Sequence, residues 1–273
     1  LGIIIPPSIP FVIYGIATNS NIGTLFIAGF GPGIMIGIAL IVVSRFICKK
    51  RGYLGTERKS TGKEKLQAIN EAKWALIMPL IILGGIYGGI FTPTEAAAVA
   101  IFYSLFVGFF VYKELKWKDV FSILDTTASF VGAVMLAFAP AAALGAVLSM
   151  LGVPGMVSDL LLSISSNIYV IMFIVMLVLI VAGMIVDTIS AIVLLAPILR
   201  GALIPMGIDP IHLGTVMIVA LAIGFVTPPV AQNLFVASGM TGLPMHKIVK
   251  EAFPFIVTML VCLVLITFFP EIS

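Results

Sequence analysis

The chain has 273 residues, of which 61% are hydrophobic and only 10% are charged, with a formal net charge of +3. A soluble domain carries about a quarter charged residues, so this composition excludes an ordinary soluble globular protein. Its apolar runs are continuous, unlike the alternating strands of a transmembrane β-barrel, and reach the roughly 20 residues that a helix needs to cross a bilayer. The composition therefore predicts an all-α polytopic membrane protein.

Eight apolar segments predict the membrane-embedded parts of the chain. They lie at residues 1–17, 24–47, 74–91, 94–112, 127–151, 168–199, 211–239 and 248–269. The first residue, Leu1, is not methionine and already belongs to an apolar segment that lacks the features of a signal peptide. We therefore expect the chain to be a fragment that lacks the N-terminal part of a longer protein.

Basic residues predict the orientation of these segments. Nine of the 15 Lys and Arg residues fall within residues 45–73. Because cytoplasmic loops carry an excess of basic residues, we predict a cytoplasmic loop at 49–73. The basic residues at 113–118 are expected to return to the same side, since two apolar segments separate the two clusters. The same rule predicts that residues 152–167 and the C-terminal end face the periplasm.

Two local patterns predict helix starts in the middle of the chain. Thr92, Pro93 and Glu95 form a capping-box sequence, which favours a helix that begins at Pro93. Residues 113–126 predict a short interfacial helix that carries Trp117. Ser122 and Asp125 are candidate caps for the span that follows.

The segment 168–199 predicts a re-entrant hairpin. It contains 32 residues, which is too long for one ordinary span and suits two half-helices. An odd number of crossings must separate the periplasmic stretch around Asp159 from the basic residues Lys247 and Lys250. A re-entrant hairpin enters and exits the membrane on the same side and so adds no crossing. The segment 211–239 is then the single crossing that this requirement needs.

Two stretches of the chain align without gaps at an offset of 222 residues: LGIIIPPSIPFVIYG and IGFVTPPVAQNLFVA. The coinciding residues are Gly2, Pro6, Pro7 and Pro32 in the first copy and Gly224, Pro228, Pro229 and Pro254 in the second. In the predicted topology the two copies run in opposite directions, which is typical of inverted-repeat transporters.

This repeat suggests four regions. Residues 1–48 would end the first repeat, 49–73 would form the basic loop, 74–126 would hold scaffold spans and the interfacial helix, and 127–273 would form the transport region of the second repeat.

Each Pro-Pro pair predicts a break in a membrane helix. Proline lacks a backbone donor, so the preceding turn keeps carbonyl groups that need another partner, and lipid offers none. Hydroxyl groups lie beside both pairs, Ser8 after Pro6-Pro7 and Thr227 before Pro228-Pro229. Free carbonyls and hydroxyls are hard oxygen ligands of the kind that bind Na⁺. A simple packing kink is the alternative.

Asp187 is an ionisable residue well inside the apolar segment of the predicted hairpin. A carboxylate at membrane depth costs about 2.5–3.5 kcal/mol on insertion scales, so it is a candidate for function. With Thr188 and Ser190 it would lie at the hairpin tip, where it could bind an ion, cap the second half-helix, or do both. Gln232 and Asn233 follow the second break and are candidate substrate ligands. Arg200 is better explained as an interfacial anchor than as a carboxylate clamp.

Several of these stretches resemble the large membrane subunit (DctM-like) of tripartite ATP-independent periplasmic (TRAP) transporters. They are GIIIPPSIPFVIYG, LIILGGIYGGIFTPTEAAAVA, APIL, GIDPIHLG and AIGFVTPPVAQNLFVASG. They occur in order and at similar spacing across nearly the whole chain. Two departures, AQN in place of a usual GLN and Arg200 at a commonly apolar position, bear on the identity of the substrate.

The resemblance implies a Na⁺-driven importer of the bacterial inner membrane that works by an elevator mechanism, without a cofactor beyond the coupling ion. It implies a small membrane subunit and a periplasmic substrate-binding protein as partners, and an organic acid as substrate, such as a C4-dicarboxylate, sialic acid or another sugar acid. The family's ion sites would fall on Asp187, Thr188, on Thr227 to Pro229 and on Pro6 to Ser8.

Two other functions stay open at this point. One is a two-hairpin Na⁺–carboxylate symporter that works without a binding protein, which the TPTEAAAVA stretch disfavours. The other is an intramembrane hydrolase, although the sequence contains neither an HExxH nor a GxSxG motif.

Overall fold

The computed structural model describes residues 1–53 and 61–273, except for the side chain of Ala137. Within these residues the regular structure is helical. The helices are α1 (Ile9–Thr18), α2 (Ile22–Arg51), α3 (Gly62–Tyr87), α4 (Pro93–Phe106), α5 (Trp117–Met150), α6 (Val153–Ile164), α7 (Ile168–Ile185), α8 (Thr188–Leu203), α9 (Pro210–Gly224), α10 (Gln232–Thr241) and α11 (Met245–Phe268). A π-helical turn, Val107–Val111, extends α4, and 3₁₀ turns follow α8 and α11.

Seven helical stretches of the described chain are long and apolar enough to cross a membrane. They are Ile22–Arg51, Gly62–Tyr87, Pro93–Val111, Trp117–Met150, Ile168–Ile185, Thr188–Met206 and Met245–Phe268. The helices α1, α6 and α9 are apolar but shorter. The predicted class, an all-α polytopic membrane protein, is confirmed.

The chain divides into two compact units, residues 1–47 with 137–273, and residues 48–136. In the first unit α9 is the central helix, because nearly every one of its side chains is buried. A helix that is apolar on all sides is expected in such a position. Helix α7 packs along α9, α8 packs against α1, α6 and α9, and α11 packs on α9 and α7.

In the second unit α3 and α4 form an antiparallel pair. The hydroxyl of Tyr103 donates to the Trp74 carbonyl at 2.7 Å, and that of Tyr112 donates to the Glu71 carbonyl at 2.8 Å. At the other end of the pair Gly85 makes room for the Phe91 ring. The outward faces of this pair are apolar and exposed, as expected for helices that meet lipid or other protein.

The capping box at the start of α4 is confirmed. The Thr92 hydroxyl accepts from the Glu95 amide at 3.3 Å, and the Glu95 carboxylate accepts from the Thr92 amide at 2.8 Å. A second capping box, which was not predicted, pairs Thr61 with Glu64 in the same way. It starts α3 at Gly62, well before the apolar segment.

The prediction of a loop over 49–73 is therefore wrong for much of that segment. Helix α2 continues to Arg51, and residues 62–73 form the first three turns of α3. Residues 54–60 of the predicted loop lie outside the described part of the chain. The physical reason is that a helix forms its backbone hydrogen bonds internally, in water as well as in lipid. A run of charged residues therefore indicates where the chain leaves the lipid, but not where the helix ends.

The prediction of a separate interfacial helix at 113–126 is also wrong. Helix α5 runs without interruption from Trp117 to Met150, and Ser122 and Asp125 lie inside it. The residue that caps its start is Asp119, whose carboxylate accepts from the Lys116 amide at 2.8 Å. Residues 117–131 contain neither Gly nor Pro, so nothing in them ends the helix before the membrane.

Candidate functional site

Two segments of the first unit leave the helical conformation at the Pro-Pro pairs. Residues 1–8 precede α1, and residues 225–231 separate α9 from α10. In both segments the Pro-Pro peptide bond is cis. The apolar stretch 211–239 is therefore a helix, a break and a second helix, with the break at Pro228-Pro229.

A third break lies between α7 and α8, at Val186-Asp187. Asp187 is the N-cap of α8, and its Oδ2 atom accepts from the amides of Ile189 at 3.0 Å and Ser190 at 3.1 Å. This arrangement satisfies two of the opening amides of α8. The other carboxylate oxygen, Oδ1, accepts no hydrogen bond from the described residues, so it remains available for a ligand.

Close contact between two glycines brings the second and third breaks together. A Cβ atom on Gly224 would lie 2.6 Å from the carbonyl carbon of Gly183, and one on Gly183 would lie 2.8 Å from the Leu221 carbonyl oxygen. The ends of α7 and α9 therefore meet backbone to backbone. Each end is followed within three residues by a break, Asp187 after α7 and Phe225 after α9.

A small cavity of about 220 Å³ lies where the three breaks converge. Its lining comes from the first break and the start of α1 (Ile3, Ile9 and Pro10), from the third break and the start of α8 (Asp187, Thr188 and Ile189) and from the second break (Phe225). The walls are mostly apolar, and Asp187 and Thr188 supply the polar side chains. The cavity is open to the surroundings on one side, where Ile9 is 63% exposed, and its volume suits one small group.

The Thr188 hydroxyl is the unusual polar group of this cavity. The residue is only 6% exposed, and its Oγ1 atom forms no hydrogen bond with the described residues. An unpaired buried hydroxyl costs about 1–3 kcal/mol, so such groups call for a functional explanation. Oγ1 of Thr188 and Oδ1 of Asp187 are thus two oxygens on adjacent residues without partners in the described chain.

Backbone carbonyls without partners are found in the two Pro-Pro breaks, next in sequence to the lining residues Ile3 and Phe225. Within the described residues, the carbonyls of residues 226–230 and of residues 4–7 accept no hydrogen bond. This is the expected result of a Pro-Pro break, since the residues that would donate to them are prolines or lie out of register. The combination of carboxylate, hydroxyl and carbonyl oxygens fits a hard cation such as Na⁺.

The hydroxyls of Ser8 and Thr227, the other two predicted ligands of this kind beside the breaks, already form hydrogen bonds within the chain. Ser8 donates to the Ile3 carbonyl, and Thr227 donates to the Ile223 carbonyl at 2.7 Å. Neither residue is part of the cavity lining, and the same holds for Ser190. Thr227 can therefore reach a ligand only through its carbonyl unless this hydrogen bond breaks.

The remaining predicted site residues do not line the cavity. These are Pro6, Pro7, Pro228, Pro229, Gln232 and Asn233. Gln232 and Asn233 lie in the first turn of α10, whose N-cap, Ala231, has no side chain that could satisfy the opening amides. The Asn233 amide donates to the Phe225 carbonyl at 3.4 Å and the Leu234 amide to the Ala231 carbonyl at 2.7 Å, so of the first three amides only that of Gln232 has no acceptor among the described residues.

Sequence reasoning missed the residues that position the site. The apolar lining residues carry no signal that distinguishes them from other membrane-facing side chains. Gly183 and Gly224 are better candidates, since small residues mark close helix contacts, but pairing them needs the tertiary structure.

Arg200 is placed away from the cavity and ties α8 to α1. Its guanidinium donates to the Thr18 carbonyl at the C-terminal end of α1. Nearby, the Tyr14 hydroxyl donates to the Pro210 carbonyl at 2.7 Å and links α1 to the start of α9. A cation at the C-terminus of a helix is favourable, so Arg200 acts as an anchor in this structure.

Comparison with known proteins gives a consistent set of relatives. The family model described as "Tripartite ATP-independent periplasmic transporter, DctM component" matches residues 1–272. The chain is 41% identical over 272 residues to the isethionate TRAP transporter permease protein DctMQ of Oleidesulfovibrio alaskensis. It is 38% identical over 273 residues to the sialic acid TRAP transporter large permease protein SiaM of Vibrio cholerae, and 38% identical over the same length to the C4-dicarboxylate TRAP transporter large permease protein DctM of Pseudomonas aeruginosa.

These alignments cover the whole chain but only part of each relative. The chain spans 43% of the Oleidesulfovibrio protein and 64% of each of the other two.

Proposed function

The chain belongs to the family of DctM components of tripartite ATP-independent periplasmic transporters, and we propose that it contributes to Na⁺-coupled import of an organic acid. As a family member it is a multi-pass protein of the inner membrane and a transporter subunit rather than an enzyme. Because it spans only part of its relatives, the proposal concerns the full-length protein to which these residues belong.

The observation that carries the proposal is the unpaired Thr188 hydroxyl beside the Asp187 carboxylate in the cavity between the breaks. We propose that these two groups and carbonyls of the adjoining breaks bind Na⁺. Without an ion, the hydroxyl, the free carboxylate oxygen and the carbonyls would each lack a partner at membrane depth. One bound ion would serve several of them at once. Pro6, Pro7 and Ser8 on one side, and Thr227, Pro228 and Pro229 on the other, would contribute through their backbone.

The substrate is proposed to be an anion bound next to this ion. The relatives are named for isethionate, sialic acid and C4-dicarboxylates, all of which carry a negatively charged acid group. The N-termini of α8 and α10 carry positive partial charge, and the first turn of α10 presents Gln232 and Asn233. An ion and an acid bound side by side would each favour the other, which is how a Na⁺ gradient could drive uptake.

The partners follow from the family and are proposals for this chain. We propose a small membrane subunit, either separate or fused, and a periplasmic binding protein that delivers the acid. The elevator mechanism and the inverted repeat are proposals of the same kind.

The test is uptake by the full-length transporter, with its partners, as a function of Na⁺ concentration. Replacing Thr188 with Val should raise the Na⁺ concentration for half-maximal uptake by about tenfold, since a buried hydroxyl ligand is lost at nearly constant volume. Replacing Thr188 with Ser should preserve the Na⁺ dependence. If both variants reach the membrane and respond to Na⁺ like the unchanged protein, the ion binds elsewhere.

A further inference from the structure

The second unit contains an apolar groove that the transport site does not use. It lies between the end of α4, the π-helical turn and the start of α5, and has a volume of about 470 Å³. Five of its lining side chains are aromatic: Phe102, Phe106, Phe109, Phe110 and Trp117. Phe102 and Trp117 are each 74% exposed, so the described part of the chain leaves the groove open.

The groove is produced by an abrupt reversal of the chain. The π-helical turn ends where the Tyr112 amide donates to the Val107 carbonyl at 2.9 Å, and Lys113 then adopts a left-handed backbone conformation with φ of 54°. Leu115 folds back over Gly108. Trp117 therefore lies against Phe109, with ring centroids 5.0 Å apart.

Residues 113–119, which lead to Trp117 and into α5, carry three lysines and two acids, Glu114 and Asp119, and thus a net charge of +1. Lys113, Lys116 and Lys118 are all exposed, and Lys116 and Lys118 are the immediate neighbours of Trp117. Among the described residues none of the three ammonium groups forms an ion pair within 4.0 Å. Asp119, the nearest acid in sequence to Lys118, is engaged in capping the start of α5.

An aromatic groove whose tryptophan is flanked in sequence by exposed lysines matches an anionic phospholipid. The groove would accept an acyl chain, tryptophan is a residue that favours the membrane interface, and the lysines would attract the phosphate. A zwitterionic lipid would fill the groove equally well but would gain nothing from the lysines. We propose that residues 102–120 form a binding site for an anionic phospholipid, such as phosphatidylglycerol.

The sequence offers a simple optical test, because Trp74 and Trp117 are the two tryptophans of these residues. In the full-length protein, Trp74 and any tryptophan beyond this chain are replaced by Phe, so that Trp117 alone fluoresces. The protein is placed in lipid nanodiscs that contain either phosphatidylglycerol or phosphatidylcholine with brominated acyl chains. Bromine quenches a tryptophan only on close approach, so quenching measures occupancy of the groove.

We expect brominated phosphatidylglycerol to quench Trp117 at a mole fraction roughly tenfold lower than brominated phosphatidylcholine, given a few lysines near the surface. Replacing Lys116 and Lys118 with Gln should abolish this difference. A matched control removes the same charge from Lys63 and Lys65, which are exposed on α3 and do not line this groove, and should preserve the difference.

Three results would overturn the proposal. Equal quenching by the two lipids would mean ordinary contact with bulk lipid. Absence of quenching by either lipid would mean that another segment of protein fills the groove. The third result is an unchanged preference for phosphatidylglycerol after Lys116 and Lys118 are replaced, in a variant that thermal unfolding shows to be folded. It would mean that the lysines do not determine the preference.

Discussion

The backbones of Gly183 and Gly224 touch, and this contact places the break between α7 and α8 beside the break that follows α9. The atoms that a side chain at Gly224 would meet belong to the backbone of α7, which cannot move aside as a flexible side chain could. The contact thus fixes the distance between Asp187 and Phe225 across the proposed ion site.

We predict that replacing Gly224 with Ala destabilises the protein by about 1–3 kcal/mol, the usual cost of an added group in a filled interior. Thermal unfolding of the purified full-length protein measures the effect, and Na⁺-driven uptake should fall with it because the site is pushed apart. Replacing Gly155 with Ala is the matched control, since nothing lies within 4 Å of a Cβ atom there. Equal stability of the two variants would contradict the close contact.

The parts of the fold that the sequence predicted correctly depend on local chemistry. The break at Pro228-Pro229 follows from two missing amide donors, and the start of α4 follows from the capping box of Thr92 and Glu95. Asp187 was predicted to lie where the 32-residue segment turns and to be a possible cap of its second half, and it is the cap of α8.

The parts that were predicted wrongly depend on the assumption that a helix ends where the polar sequence begins. Helix α3 starts in the basic segment, and α5 extends outward to Trp117. The contact of Gly183 with Gly224, the unpaired Thr188 hydroxyl and the hydrogen bond of Thr227 could not be predicted, because each depends on neighbours that are distant in sequence or on a side-chain rotamer.

The basic start of α3 should tolerate loss of charge. Lys63 and Lys65 are exposed, and the capping box of Thr61 with Glu64 that starts the helix does not need them. We predict that replacing both lysines with Gln leaves uptake within about twofold of normal, since isolated surface charges contribute little. A strong loss of uptake by protein that still reaches the membrane would indicate a functional contact in this segment.

The predicted orientation can be tested at the same position. A cysteine at Lys65 should be protected in intact cells from a membrane-impermeant thiol reagent, and a cysteine at Asp159 should react with it. Both side chains are exposed in the described structure, so access to the side chain itself does not limit either reaction. If the reagent labels position 65 from outside, the predicted orientation is wrong and the chain is inserted the other way round.

Arg200 is predicted to act in stability and not in substrate recognition. Its guanidinium donates to the Thr18 carbonyl at the C-terminus of α1, so replacement with Gln should lower the free energy of unfolding by on the order of 1–2 kcal/mol. The substrate concentration for half-maximal uptake should stay within about twofold of normal, because Arg200 does not line the cavity. A large increase in that concentration without loss of stability would instead support a carboxylate clamp.

Thr227 should matter less than Thr188, although both are hydroxyl residues beside a helix break. The Thr227 hydroxyl already donates to the Ile223 carbonyl, whereas that of Thr188 has no partner in the described chain. Replacing Thr227 with Val should therefore raise the Na⁺ requirement for uptake by less than the same change at Thr188, because only an indirect effect on the break remains. The reverse order would mean that the Thr227 hydroxyl turns toward the ion during transport.

Asp187 can be tested for its two roles separately, because Asn and Ala differ in what they preserve. Asn is as good an N-cap as Asp, so replacing Asp187 with Asn should leave the thermal stability nearly unchanged while removing the negative charge. Ala removes both the negative charge and the N-cap. It should lower the stability by about 1 kcal/mol relative to the Asn variant, because the hydrogen bonds from the Ile189 and Ser190 amides are lost.

If the carboxylate binds Na⁺, both Asp187 variants will need a Na⁺ concentration at least about tenfold higher for half-maximal uptake, since a charged ligand typically contributes more than 1.4 kcal/mol. The affinity of the separate binding protein for its acid, measured alone, should not change in either case. If Asp187 is only a cap, the Asn variant will transport with normal Na⁺ dependence and the Ala variant alone will be impaired. The Na⁺ dependence of the Asn variant therefore distinguishes an ion ligand from a helix cap, because its stability stays constant while its charge does not.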